Sequence, residues 1–173
     1  MKAMRCWPVA WLILAVTGCR SAAIQQRPPR WSRVDSAGHG TISIPPGWYV
    51  TVTGEPRFRL YAQDPNLAVQ VVIVRQGASD ESMAAAALRV ARGFGAPNDF
   101  ALVERTDGSL DGEVEVAPGR IVAACGVPAT QERMVLAVTH RGSLVSVDRE
   151  AYQAEGGLRL LCSIATSVRL RDS

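Results

Sequence analysis

The chain has 173 residues, of which 47% are hydrophobic, and it carries a formal net charge of +3. The positive charge belongs to the N-terminal part, because from Val34 onward 13 arginines face 16 acidic residues, a net charge of −3. No basic face for nucleic acid is therefore indicated. The presence of only two histidines excludes a histidine-rich metal site, and Lys2 is the only lysine.

The N-terminus has the layout of an export signal. Lys2 and Arg5 precede an apolar run from Cys6 to Val16, which the small residues Thr17 and Gly18 follow. This run of 11 residues is shorter than the 18 or more apolar residues that indicate a transmembrane helix. The mature protein is therefore expected not to span the membrane.

The segment Val16-Thr17-Gly18-Cys19 resembles the lipobox of bacterial lipoprotein precursors. The resemblance implies that a signal peptide, residues 1–18, is removed and that Cys19 receives diacylglycerol and an N-linked acyl chain. No other cofactor is expected. An ordinary secretory signal cut after Ala23 is the alternative, and it would discard Cys19. Arg20 rather than Asp follows Cys19, which favours the outer membrane, facing the periplasm, over the inner membrane.

Residues 19–30 are expected to form a flexible tether between the lipid and a single domain at residues 31–171. The tether is rich in glutamine, proline and arginine and has too little apolar content to fold. Its arginines are suited to contact lipid phosphates, each contributing on the order of 1 kcal/mol near an anionic surface. A purely solvated linker fits the composition equally well.

Two cysteines remain in the domain, Cys125 and Cys162, once Cys6 is removed and Cys19 is lipidated. An even pair in an oxidising compartment predicts a disulfide. Two buried free thiols are the alternative, because the neighbouring residues are apolar.

The first half of the domain is predicted to be an antiparallel meander. Alternation of β-branched and polar residues indicates a strand at Thr41–Ile44. Strands are also expected at Tyr49–Val52, Arg57–Ala62 and Leu67–Arg75, separated by the turn sequences Gly54-Glu55-Pro56 and Asp64-Pro65-Asn66. The sequence Pro45-Pro46-Gly47 ends the first strand because proline removes ladder donors and glycine permits a turn. Trp48, which follows, is interpreted as a core anchor rather than as an exposed binding residue.

The segment Ser79–Phe94 changes to a helical period and predicts a helix, with Ser79 or Asp80 as the N-cap and an end at Gly93 and Gly95. Five further strands are expected at Phe100–Thr106, Glu113–Val116, Arg120–Gly126, Arg133–His140 and Ser143–Arg149, the last two joined by a turn at Arg141-Gly142. The final segment, Leu158–Leu170, fits a helix and a strand equally well.

This order of elements resembles the PsbP-like family, of the PsbP/DcrB type. The residues that carry the resemblance are the strand end Ile44-Pro45-Pro46-Gly47-Trp48 and the closing segment Cys162–Val168. The family implies an α+β fold, an α/β/α sandwich whose central antiparallel sheet is flanked by a middle helix and a C-terminal helix. It also implies a helix at Leu158–Thr166 and a function in docking to other proteins.

Candidate chemistry is sparse. A nucleophile set of Cys125, His140 and Asp148 can be proposed, but the predicted disulfide uses the same cysteine. His39 is expected in a loop, and an ordinary structural role is favoured for His140.

The segment Asp107–Gly112 imitates the first half of a calcium loop. Pro118 takes the place of the bidentate glutamate at the twelfth position, so a solvated turn is favoured. No metal site is predicted.

These observations favour a non-enzymatic envelope lipoprotein, attached to the membrane through Cys19, that binds another envelope protein. A carrier of a small apolar ligand or lipid is the alternative, and a hydrolase has the least support.

Overall fold

The computed structural model describes residues 30–36, 40–52, 57–76, 81–141 and 144–171. The predicted export signal, Cys19, almost all of the tether and His39 lie outside the described residues, as do Ser79, Asp80 and Gly142. No helix among the described residues is long and apolar enough to cross a membrane.

The described residues form eleven strands and three helices. In chain order these are β1 (Ser32–Ser36), β2 (Gly40–Ile44), β3 (Tyr49–Val52), β4 (Arg57–Tyr61), β5 (Ala68–Arg75), α1 (Met83–Gly93), β6 (Val103–Glu104), β7 (Leu110–Ala117), β8 (Arg120–Thr130), β9 (Arg133–His140), β10 (Val147–Asp148), α2 (Arg149–Ala154), α3 (Leu158–Ser167) and β11 (Arg169–Leu170). The strands named here pair antiparallel, which confirms the α+β class with a mainly antiparallel sheet.

The strands form a large sheet in the order β3-β4-β5-β9-β8-β7-β6 and a small sheet in the order β1-β2-β11. The predicted meander therefore consists of β3, β4 and β5 alone. The prediction that Thr41–Ile44 begins it was wrong, because β2 pairs with β1 and β11 instead. The turn at Pro45–Gly47 carries the chain from one sheet to the other, and the positive φ of +78° at Gly47 shows why glycine is needed there.

Both faces of the large sheet are buried along its central strands. In β9, Val135 and Ala137 belong to one apolar cluster, whereas Met134, Leu136 and Val138 belong to a second one. Because side chains alternate across a strand, the two clusters lie on opposite faces of the sheet. Helix α3 packs against β8 and β9 in the first cluster, and α1 packs against β5 and β9 in the second.

Helix α1 begins later than the sequence predicts. Its N-cap is Ser82, whose hydroxyl accepts a hydrogen bond from the Ala85 amide at 3.2 Å. The prediction of Ser79 or Asp80 as the cap was wrong. The first buried side chains of the helix are Ala86 and Ala87, and the helix begins one turn before them, so Ser82 is the residue at the cap position. The predicted end is confirmed, since the last helical residue is Gly93.

Two predicted strands are much shorter than expected. Of Phe100–Thr106 only β6 remains, and Ser143–Arg149 contributes only β10. The predicted hairpin with β9 was wrong: it is reduced to one bridge, Arg141 to Leu144, and β10 pairs with β8. The cause is apolar burial, because Val147 is fully buried opposite Ile121 at a point that β9 does not reach.

The C-terminal segment is a helix followed by a short strand. Leu160, Leu161, Ile164 and Ala165 of α3 are buried, and the strand interpretation holds only for β11. Cys125 and Cys162 form the predicted disulfide, with a Cα–Cα distance of 5.2 Å, so the free-thiol alternative was wrong. The bridge fastens α3 to the centre of the large sheet.

Trp48 lies in the cluster on the α3 side and is 6% exposed. Its indole Nε1 donates a hydrogen bond to the Glu155 carboxylate at 3.3 Å. The indole therefore joins the start of β3 to the end of α2.

Candidate functional site

Among the described residues, helix α1 covers the centre of its sheet face, and the strands at one edge lie beyond it. It packs against β5 and β9, whereas β3 and β4 continue the same face beyond it. Alternation places Phe58 and Leu60 of β4 in the cluster on the α3 side, so their neighbours in the strand point to the α1 side. We call this surface the tyrosine–arginine face; it consists of Tyr49, Thr51, Arg57, Arg59 and Tyr61.

Two tyrosines lie directly opposite each other on this face. Tyr49 of β3 is in register with Tyr61 of β4, and their rings stack with centroids 4.7 Å apart and planes inclined by 11°. Tyr49 is 58% exposed, the largest exposure among the big apolar and aromatic side chains described. Stacking restrains the rings, so a partner that binds them loses little additional side-chain entropy.

Arg59 occupies the next row of the same face. It is partly buried, it pairs in register with the buried Gln70, and its Nε atom has no hydrogen-bond acceptor among the described residues. A buried donor without an acceptor costs about 1–3 kcal/mol. A buried donor without a protein acceptor is rare, so this nitrogen calls for an acceptor from outside the described residues.

A groove of about 300 Å³ lies where α1 meets β4 and β5, next to the tyrosine–arginine face. We call it the arginine groove, and it is lined by Arg57, Val72, Ile73, Val74, Arg75, Arg89, Val90 and Phe94. Every charged residue in this lining is an arginine. Arg57 belongs to both surfaces and makes them continuous.

The three arginines of the groove differ in their ion pairing. Arg89 donates two hydrogen bonds to the Glu81 carboxylate, at 3.0 and 3.1 Å. The Arg89 guanidinium thereby holds the pKa of Glu81 below its ordinary value, chiefly through these hydrogen bonds. Arg57 forms no ion pair with any residue that the structure describes. Arg75 has the alternation of Val71 and Ile73, so its side chain points to the α3 side of the sheet.

The proposed nucleophile set is not brought together. Cys125 is bonded to Cys162 and belongs to the cluster on the α3 side, whereas His140 has the alternation of Val138 and so lies on the α1 side. Asp148 is the N-cap of α2, where its carboxylate accepts a hydrogen bond from the Ala151 amide at 3.0 Å. The sheet separates the thiol position from the imidazole, so this hypothesis was wrong.

The segment Asp107–Gly112 forms a turn and the start of β7. The Asp107 carboxylate accepts hydrogen bonds from the Ser109 amide at 2.9 Å and hydroxyl at 2.6 Å. Asp111 forms a bidentate pair with Arg105 at 2.7 and 2.8 Å. Within the described part of the chain, no three potential metal-ligating side chains lie together.

The residues of the tyrosine–arginine face were not identified from the sequence. The alternation in Arg57-Phe58-Arg59-Leu60-Tyr61 predicts a strand with one polar side, and this signal was available. The pattern does not reveal that Tyr49 lies opposite Tyr61 or that α1 leaves both strands uncovered.

Comparison with known proteins assigns no family to the chain: no protein-family model matches it, and no curated protein matches it either.

Proposed function

We propose that the protein is a lipid-anchored, non-enzymatic binding module of the bacterial cell envelope that docks another envelope protein on its tyrosine–arginine face. The observation that carries the docking is the stacked pair of the exposed Tyr49 and the partly buried Tyr61, beside two arginines on a sheet face that lies beyond α1 among the described residues. Tyrosine and arginine are enriched at the centres of protein interfaces and among the residues that contribute most to binding energy.

The anchor in this proposal is Cys19, which carries diacylglycerol and an acyl chain after removal of residues 1–18. Each buried methylene contributes roughly 0.8 kcal/mol to membrane affinity, so two or three chains hold the protein firmly. The tether of 12 residues, 19–30, spans at most about 40 Å when extended. The domain then stays near the membrane, which raises its effective concentration for a membrane-bound partner, and we place it on the outer membrane, facing the periplasm.

The proposal includes an α/β/α sandwich of the PsbP-like type. It is supported by the packing of α1 and α3 on opposite faces of the antiparallel sheet. A docking function agrees with that family resemblance. The resemblance concerns the fold and does not extend to the residues of the docking site.

The arginine groove gives the carrier alternative little support. The arginine groove is open along one side, and its floor residues Val72 and Val74 are 5% and 1% exposed. Sites for small ligands enclose most of the ligand surface, which this shape does not allow. An open, partly charged groove is better suited to a segment of a partner protein.

The docking surface is tested by photo-crosslinking in intact cells. A photoreactive amino acid at Tyr49 is expected to yield one reproducible adduct, whereas the same amino acid at Val116, an exposed position on β7, is expected to yield none. When Arg59→Met is combined with the photoreactive amino acid at position 49, the yield of the adduct should fall. Absence of an adduct at Tyr49, or equal adducts at both positions, would refute the proposed surface.

The anchor is tested separately, by intact-mass measurement of the protein extracted from membranes. The expected mass is that of a chain beginning at Cys19 with lipid attached. A chain without lipid that begins after residue 19 would refute the anchoring.

A further inference from the structure

We infer that the arginine groove binds a carboxylate-bearing segment of the partner, so that the partner's docking segment is acidic with at least one apolar side chain. This inference rests on the proposed docking function, and it adds the chemistry of the partner. It depends on three properties of the groove: its charge, its floor and its shape.

The charge of the groove runs against that of the domain. From Val34 onward the chain has a formal net charge of −3, yet the charged residues of the groove lining are all arginines. A segment that enters the groove is therefore favoured when it is negative.

Two arginine side chains flank the groove. Arg57 has no ion-pair partner among the described residues, and Arg89 is held in place by Glu81 at 3.0 Å. An arginine guanidinium pairs with a carboxylate through two parallel hydrogen bonds, which adds directional specificity to the attraction. Between the arginines, the partly buried Val90 and Phe94 offer contacts to an apolar side chain.

The shape favours a polypeptide over a lipid surface. Helix α1 stands on the sheet beside β4, so the groove is a concave step that a flat bilayer does not enter. A chain segment lying in the step reaches the tyrosine–arginine face through Arg57, which lines both surfaces. One continuous segment can therefore contact the arginines and the stacked tyrosines together.

The test uses the full chain in non-ionic detergent and a fluorescently labelled peptide of glutamate, serine and leucine as the probe. The matched control peptide carries glutamine in place of each glutamate. Fluorescence anisotropy is expected to show tighter binding of the glutamate peptide, with an affinity that falls as sodium chloride is raised. Equal affinities for the two peptides would overturn the inference.

Variants of the groove give effects of opposite sign. Arg57→Gln should weaken binding about two- to fivefold, the range for an exposed ion pair. Glu81→Gln should strengthen binding within the same range, because it removes the charge that neutralises Arg89. Arg141→Gln, an exposed arginine outside the groove, is the matched control and should leave the affinity unchanged.

Thermal melts of each variant establish that the fold is intact, and vesicles of phosphatidylglycerol test the lipid alternative. The inference would be overturned in favour of a membrane surface by two results together: the protein binds the vesicles and loses this binding in Arg57→Gln, and it does not bind the glutamate peptide. The crosslink at Tyr49 distinguishes the two proposals. A partner adduct that is insensitive to the groove variants refutes only the acidic-segment inference, whereas a missing adduct refutes the docking function.

Discussion

Loss of the disulfide between Cys125 and Cys162 should destabilise the domain by an amount that the chain separation determines. The bridge joins residues 37 positions apart, and the chain-entropy model gives about 4 kcal/mol for closing a loop of that length. For a domain of about 140 residues, with about 2.1 cal/mol/K of unfolding entropy per residue, this corresponds to a fall in Tm of roughly 10–15 °C. Cys125 is 1% exposed, so its replacement also removes packed atoms from the core.

Two perturbations separate loop closure from packing. Reduction of the unmodified protein with a phosphine breaks the bridge and keeps both sulfur atoms, whereas the double variant Cys125→Ala, Cys162→Ala removes them. Differential scanning calorimetry should show the fall in Tm in the reduced protein and a slightly larger fall in the variant, which should not respond to reductant. If intact mass shows the bridge reduced and the Tm has not moved, the reasoning about loop closure is refuted.

Three further predictions concern the core, the site and the anchor. Trp48→Ala should cost about 3–5 kcal/mol in urea unfolding because it empties a buried site, whereas Glu155→Gln, which keeps an acceptor for the indole, should cost less than about 1 kcal/mol. Arg59→Met should leave the free energy of unfolding unchanged or raise it by up to about 1–3 kcal/mol, since it removes the buried Nε that lacks an acceptor; a loss of stability would show that this nitrogen is satisfied. Cys19→Ala should release the protein from the membrane fraction on immunoblots, and unchanged retention would argue against a lipid on that residue.

Sequence patterns predicted elements whose character is local. The apolar run within Arg133–His140 and the helical period ending at Gly93 each lead to the observed element with nearly the observed bounds. The two domain cysteines were paired correctly because only one pairing remained once the N-terminal pair was set aside. In each case the prediction needed only residues that are neighbours in the chain or the number of cysteines in the domain.

Pairing between distant segments was beyond the reach of those patterns. The strand at Thr41–Ile44 has the period of a meander strand, and only its contacts with β1 and β11 place it in a separate sheet. Likewise, Ser143–Arg149 follows β9 in the chain but pairs with β8, because burial of Val147 opposite Ile121 outweighs sequence proximity.

The candidate surface shows the same division. The amino-acid sequence by itself determined that β4 has a polar side, since the alternation of Arg57, Arg59 and Tyr61 with Phe58 and Leu60 allows no other arrangement in a strand with one side buried. Only the tertiary structure decided that this side remains open and that Tyr49 stacks on Tyr61. The physical reason is that exposure depends on where a helix packs and on the register between strands, and both are set by the burial of residues far apart in the chain.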